Sequence, residues 1–478
     1  MAARLVAGVD CSTQGTKVLV VDPDDGRVVA LGRASHDVTG RDGARETDPE
    51  QWWSALQQAL AATGRAADVA AISIAGQQHG LVCLDAAGRP LRPAMLWNDT
   101  RAAPDAAELV AKRGAEWWAD EVGVVPVASF TAAKWAWLRR VEPETAAATR
   151  AVRLPHDYLT ERLTGRGVTD RGDASGTAWW STATEAYVPE VLETIALDTA
   201  LLPEVLRPDE AAGTVTSAAA EALGLPTDAV VGPGTGDNMG AALGLGLPAG
   251  VPVLSLGTSG TAYTVSETRA VDPSGVVAGF ADASGRFLPL AATLNCTLAV
   301  DRVAAWLGLE RDAAEPGDGV VVMPYFDGER TPNLPMAAGT IAGLRHHTTP
   351  AQVLGATYEG AVVSLLEALD ALDEASSGIV DDAPIVLIGG GARGRVWREV
   401  VARLSGRALE IPAAEELVAL GAAVQATSVL TGEDPASVAA RWDTRAGDRV
   451  DPQPRDDATL ARIRPVREAA HALHTTTW

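Results

Sequence analysis

Two aspartates stand where small, polar loops break apolar strand-like runs, and both have the setting that phosphate chemistry needs. Asp10 closes the run Leu5–Asp10 and is followed by Ser12, Thr13, Gly15 and Thr16. A carboxylate at a strand end beside such a hairpin suits a magnesium–phosphate site, because Mg²⁺ takes one or two carboxylates and fills its shell with water and phosphate oxygens. Hydroxyl and N–H groups of Thr13 and Thr16 could then meet the phosphate. By itself Asp10 serves equally well as the head of an Asx-turn.

Asp237 lies in Gly232-Pro233-Gly234-Thr235-Gly236-Asp237-Asn238, between a short strand and a Gly/Ala-rich helix. An acidic residue there is either a helix N-cap or a group held over a cleft. Phosphoryl transfer to an alcohol needs a carboxylate within reach of the hydroxyl proton, while metal and N–H groups neutralise the moving phosphate. Two more glycine loops follow, Gly257-Thr258-Ser259-Gly260-Thr261 and Gly389-Gly390-Gly391-Ala392. Glycine lets backbone approach a ligand closely, so the first could cradle phosphates and the second could pass under a nucleotide. Each is a weak signal alone. Their order around Asp237 favours a phosphotransfer base over an N-cap.

The P-loop, the protein-kinase catalytic set and the G-x-S-x-G elbow are all absent, and no Cys pair or His-x-x-x-His suggests a transition metal. Cys11, Cys83 and Cys296 are odd in number and far apart, which fits small apolar side chains in a reducing compartment.

The elements that must carry these loops are legible in the pattern. Leu5–Asp10, Thr16–Val21 and Arg27–Leu31 read as an antiparallel meander with Asp24-Asp25-Gly26 as its second turn. A helix is expected from Asp48 as N-cap, Pro49 at its first position and Gln51 completing a capping box, with Trp52, Trp53, Leu56 and Leu60 as its apolar stripe. Val69–Ala75 reads as a buried strand ending in Gly76-Gln77-Gln78-His79-Gly80. Strand, polar loop and strand recur at Val251–Leu256 and Ala262–Val265, which points to a fold duplicated in two halves of about 240 residues. Ala102–Ala115 and Ala211–Ala222 have the spacing of surface helices.

At 478 residues the chain exceeds one ordinary core, so two domains, 1–243 and 244–478, are expected. Its 62 acidic against 39 basic residues give a net charge of −23, which disfavours nucleic-acid and anionic-membrane surfaces. No apolar run is long enough to cross a bilayer. The opening Met1-Ala2-Ala3-Arg4 leads straight into a strand, so no signal peptide and a cytoplasmic location are expected.

Taken together, these loops resemble the sugar-kinase branch of the actin/hexokinase/heat-shock ATPase superfamily, and more narrowly the FGGY carbohydrate kinases. The resemblance is carried by Gly8-Val9-Asp10, Thr47–Trp53, Gly76–Gly80, Leu96–Arg101, Phe130–Trp135, Leu154–Leu159 and Asp173–Thr177. In the second half it is carried by Ser255–Gly260, Gly328–Pro332, Gly339–Leu344 and Gly389–Arg393. It implies an α/β fold of two ribonuclease-H-like domains with ATP and Mg²⁺ in the cleft between them. It further implies phosphorylation of D-xylulose at its 5-hydroxyl, with Asp237 as proton acceptor and Asp10 holding magnesium, partly through water. Gln78 and His79 match the family's sugar-contacting pair, and Trp97, Asn98 and Asp99 fall in the segment lining the same pocket. Thr13, Thr16, Gly257, Thr258, Gly390, Gly391 and Ala392 fall in the nucleotide loops. A homodimer is a family analogy.

The chain departs from the family pattern at Gln78, where bacterial members often carry Met, at Val141, and at His156, where a lysine is common. Gln78 leaves ribulose as an alternative acceptor. Glycerol is disfavoured because glycerol kinases carry Arg-Glu at the Gln78-His79 pair. A sugar-sensing paralogue without catalysis is the alternative from another class, and the presence of both aspartates speaks against it.

Overall fold

A computed structural model describes residues 4–376 and 378–475. Met1-Ala2-Ala3, part of the opening read above, lies outside them. Strands Leu5–Cys11, Gly15–Val21 and Val28–Ser35 form the expected antiparallel meander, and Val69–Gly76 adds in parallel to Leu5–Cys11. Leu5–Cys11 and Val69–Gly76 are buried at every position, the state of strands covered on both faces.

Strand alternation sends the two faces to different partners. Leu5, Ala7, Val9 and Cys11 pack with Trp52, Leu56 and Leu60 of the helix Pro49–Thr63. Each such large side chain taken fully from water contributes about 1.5–3 kcal/mol. Asp48 caps that helix as expected, accepting from Glu50 N. The capping box does not form, because Gln51 Oε1 accepts from Asp37 N at 3.0 Å and pins the incoming loop instead.

The opposite face carries Val6, Gly8 and Asp10 toward the helix Leu417–Thr431, which comes from the far end of the chain. Gly8 permits this contact: a Cβ there would sit 1.9 Å from Ala419 O. The same helix crosses Asp237–Gly244, where a Cβ on Gly421 would sit 1.9 Å from Gly240 O.

A second seven-stranded sheet repeats the plan. Val253–Leu256 pairs antiparallel with Gly260–Tyr263 and parallel with Ile385–Ile388, as Leu5–Cys11 does with Gly15–Val21 and Val69–Gly76. The duplicated grammar read from the sequence is therefore present. The tract 211–222 is helical only over Ser217–Leu223, because Gly213–Thr214 pairs with Val230–Val231 and Thr216 caps the helix. Among the described residues no helix is long and apolar enough to cross a membrane.

Candidate active site

A cleft of about 710 Å³ opens between the two sheets, lined by Asp10, Lys17, Asp237, Tyr263, Gly390 and Glu416, among others. Asp10 reaches it because strand alternation turns Val6, Gly8 and Asp10 away from the Trp52 core. Asp10 is 4% exposed, and its Oδ1 has no hydrogen-bond partner. Burial pushes its carboxyl up to about 6, although Lys17 pulls the other way. Lys17 is its antiparallel partner and lies 3.5 Å from Asp10 Oδ2. Lys17 Nζ also meets Glu416 Oε2 at 2.6 Å, and Arg33 meets Glu416 Oε1 at 2.7 Å. Glu416 sits at φ 56 just before the helix Leu417–Thr431. A non-glycine residue held there is a cost characteristic of functional sites.

Asp237 is not the N-cap. Gly236 occupies that position and Asp237 is the first helical residue, half-buried, with its side chain on the cleft. Its Oδ1 accepts from Asn238 N at 2.8 Å and from Asn238 Nδ2 at 2.9 Å. Burial, then the neighbouring charges of Asp10 and Asp173, push its carboxyl up to about 7 despite those two bonds. A carboxylate poised there can take a hydroxyl proton near neutrality. The 237–244 helix is set by pairing of Thr235–Gly236 with Ala75–Gly76, which joins the Asp237 loop to the loop bearing Gln78 and His79.

Gln78 is buried, accepts from Asn238 Nδ2 at 3.1 Å, and leaves its own Nε2 without a partner. His79 adopts φ 65, with its carbonyl accepting from Lys134 Nζ at 2.8 Å and Thr131 Oγ1 at 3.2 Å. Its ring stands between Phe130 and Phe280, with centroids at 5.0 and 5.6 Å, and Nδ1 is unpartnered. Burial, with the charges of Lys134 and Arg330, holds it neutral well below the usual imidazole range. Burial likewise pulls the Lys134 ammonium down to about 7. Trp97 Nε1 donates to Thr13 Oγ1 at 3.0 Å, and Asn98 Oδ1 is buried and unpartnered. Unpaired polar atoms of Gln78, His79 and Asn98 are the kind of groups a polyhydroxylated ligand would satisfy.

Three sequence expectations are corrected. Asp99 does not present a free carboxylate: Oδ2 accepts from Arg45 N at 2.9 Å and both oxygens bind Arg101, so it fastens the loop. Thr16 pairs with Cys11 and is fully buried on the face of the Trp52 core, away from the cleft. Gly391 turns toward its own sheet, where a Cβ would meet Leu256 Cβ at 2.8 Å. Gly390 and Ala392 do line the cleft. Gly257 and the exposed Thr258 follow the strand whose Ser255 lines it, and Gly257 O is held by Thr297 N and Oγ1.

Other participants went unnoticed in the sequence. Gln425 is fully buried and clasps Gly234, accepting from its N at 3.1 Å and donating to its O at 3.0 Å. Neither Gln425 nor Glu416 has a local signal, being nearly two hundred residues or more from the groups they hold. Lys17 did have one, since hairpin register sets it opposite Asp10. Among the described residues no group of three or more His, Cys, Asp or Glu is arranged to hold a metal ion. A site of one carboxylate completed by phosphate and water is still compatible with the free Oδ1 of Asp10.

Residues 5–244 match the model of the N-terminal domain of the FGGY family of carbohydrate kinases, and residues 253–429 that of its C-terminal domain. The chain is 60% identical over 473 residues to a xylulose kinase of Streptomyces coelicolor, covering 98% of this chain and 97% of the relative. It is 35% identical to the xylulose kinase of Escherichia coli, over 87% of this chain and 88% of the other. The solved xylulose kinase of Bifidobacterium adolescentis superposes with a TM-score of 0.84 at 36% identity, covering 98% of this chain and all of that one.

Proposed function

Because the chain belongs to the FGGY family of carbohydrate kinases, we propose that it moves the γ-phosphate of ATP onto the 5-hydroxyl of D-xylulose, with Asp237 as the base. It is a phosphotransferase with the two-domain fold of that family. The observation that carries the residue assignment is Asp237 itself, on the wall of the interdomain cleft with its carboxyl near 7. The 60% identity to a named xylulose kinase supports the choice of acceptor.

In this reading Gln78, His79, Trp97 and Asn98 orient the ketose through hydroxyl contacts. Asp237 accepts the proton of the attacking hydroxyl, and Asn238 fixes the carboxylate's rotation. Asp10 would hold magnesium, partly through water; bound there, the ion neutralises phosphate oxygens. Lys17 adds positive charge beside Asp10, and Gly257 and Thr258, with Gly390 and Ala392 of the second glycine loop, carry the nucleotide. Closure of the two halves removes water that would compete as acceptor. A cytoplasmic location and a homodimer belong to the same reading.

A coupled ADP-release assay over D-xylulose, ribulose, other pentuloses and glycerol tests it. The expected result is the highest kcat/KM on D-xylulose. Faster turnover on ribulose or glycerol would move the acceptor assignment, and no turnover on any sugar would favour a sensing role.

A further inference from the structure

Beneath the Asp237 loop lies a histidine surrounded by three carboxylates. His156 is fully buried, and its Nε2 lies 3.3 Å from Asp157 Oδ1, 3.4 Å from Asp170 Oδ1 and 3.3 Å from Asp173 Oδ2. None of these contacts is aligned as a hydrogen bond, so the ring acts as a shared charge rather than one half of a pair. Buried charges are tolerated only when compensated, and three carboxylates around one ring require it to be an imidazolium.

The carboxylates are not equivalent. Asp157 Oδ2 accepts from Leu154 N, and Asp170 accepts from Gly172 N, Asp173 N and Thr235 Oγ1. Asp173, fully buried, has no hydrogen bond to either oxygen, and His156 is its one ion pair among the described residues. Lys134, the other buried cation acting on Asp173, donates instead to the His79 and Ser129 carbonyls. The charge of Arg153 also acts on Asp157. The residue also packs on both loops: a Cβ on Gly234 would lie 2.4 Å from the ring at His156 Nδ1, and one on Gly76 would lie 3.2 Å from His156 Cβ.

We propose that His156 is a positioning residue for Asp237: it supports the base's loop at Gly234, anchors it through Asp170 and Thr235, and neutralises Asp173, the carboxylate whose charge bears on Asp237. Asp173 is one of the groups pushing the Asp237 carboxyl up. His156 itself is held protonated well above the usual range, against burial, by Asp157, Asp170 and Asp173. Without the imidazolium, Asp173, whose carboxyl burial already holds up at about 6, takes up a proton, and Asp170 is left to hold Thr235 beneath the Asp237 loop with no countercharge.

The test measures kcat, KM and the acid limb of kcat/KM for D-xylulose in His156→Gln, His156→Lys and Asp173→Asn. His156→Gln is expected to lower kcat roughly tenfold with KM little changed, and to leave the acid limb within about half a pH unit, because Asp173 is neutralised along with the ring. His156→Lys, which restores the charge, is expected to bring kcat back toward the original value. Asp173→Asn removes the repulsion and is expected to move the acid limb down; it also decides the matter if His156→Gln does not fold. An unchanged acid limb in folded Asp173→Asn, or a His156→Lys enzyme as impaired as His156→Gln, overturns the proposal. The proposal rests on Asp237 being the base, which Asp237→Asn tests separately. Normal turnover there refutes the base, whereas a dead Asp237→Asn beside an unshifted Asp173→Asn acid limb refutes only the role of His156.

Discussion

Asn238 Nδ2 donates to Gln78 Oε1 across 3.1 Å, so the residue beside the proposed base and the residue that departs most from the family's sugar pair are hydrogen-bonded to each other. The same amide also holds Asp237 Oδ1 at 2.9 Å. A change in the sugar pocket is thereby transmitted to the carboxylate's rotation.

Gln78→Ala should therefore raise KM for the ketose and lower kcat as well. Loss of one or two such bonds predicts an effect of roughly 3- to 30-fold on kcat/KM. Steady-state kinetics over the pentulose panel check it. A change in KM alone would mean that Gln78 contacts sugar without steering Asp237.

Asp237→Asn should retain sugar binding, measured by calorimetry, while kcat falls by about 10²–10⁴. In the unmodified protein the carboxyl near 7 must be ionised to accept the proton. Activity is therefore full above that pH and falls about tenfold per unit below it. A pH profile flat between 5.5 and 7.5, values chosen to bracket about 7, would contradict the assignment.

Asp10→Asn should suppress turnover by on the order of 100-fold and raise the magnesium concentration needed for half-maximal rate. The magnesium titration separates this from a folding defect, which would leave the half-maximal concentration unchanged.

Lys134→Met should lower thermal stability and raise KM for the sugar. Its ammonium is buried and donates to the part-buried carbonyls of His79 and Ser129; losing it leaves His79 O with Thr131 alone and costs about 1–3 kcal/mol in all. His79, released from φ 65, would then relax toward ordinary backbone. Thermal denaturation and KM should move together.

Gly421→Ala should destabilise the protein by about 1–3 kcal/mol and depress kcat, since its Cβ would collide with Gly240 O in the helix that begins at Asp237. A melting curve and an activity assay on the same preparation check both effects.

The amino-acid sequence by itself determined the strands, the polar loops that interrupt them and their recurrence, because these depend on local periodicity and on glycine at tight turns. Asp10 and Asp237 were legible for that reason, and hairpin register would have exposed Lys17 too. Local pattern could not determine which way a loop residue turns. Thr16 sits in a loop-flanking position like Thr13, yet faces the Trp52 core, and Asp99 spends its carboxylate on Arg101. Only the tertiary structure brought Glu416 and Gln425 to Lys17 and Gly234, or gathered Asp157, Asp170 and Asp173 around His156. Those contacts join distant parts of the chain and arise from packing of the helix Leu417–Thr431 on the first sheet, and of the 155–164 helix under the Asp237 loop. Asp237 became a group with its carboxyl near 7 through burial and the nearness of Asp10 and Asp173, both properties of the folded chain.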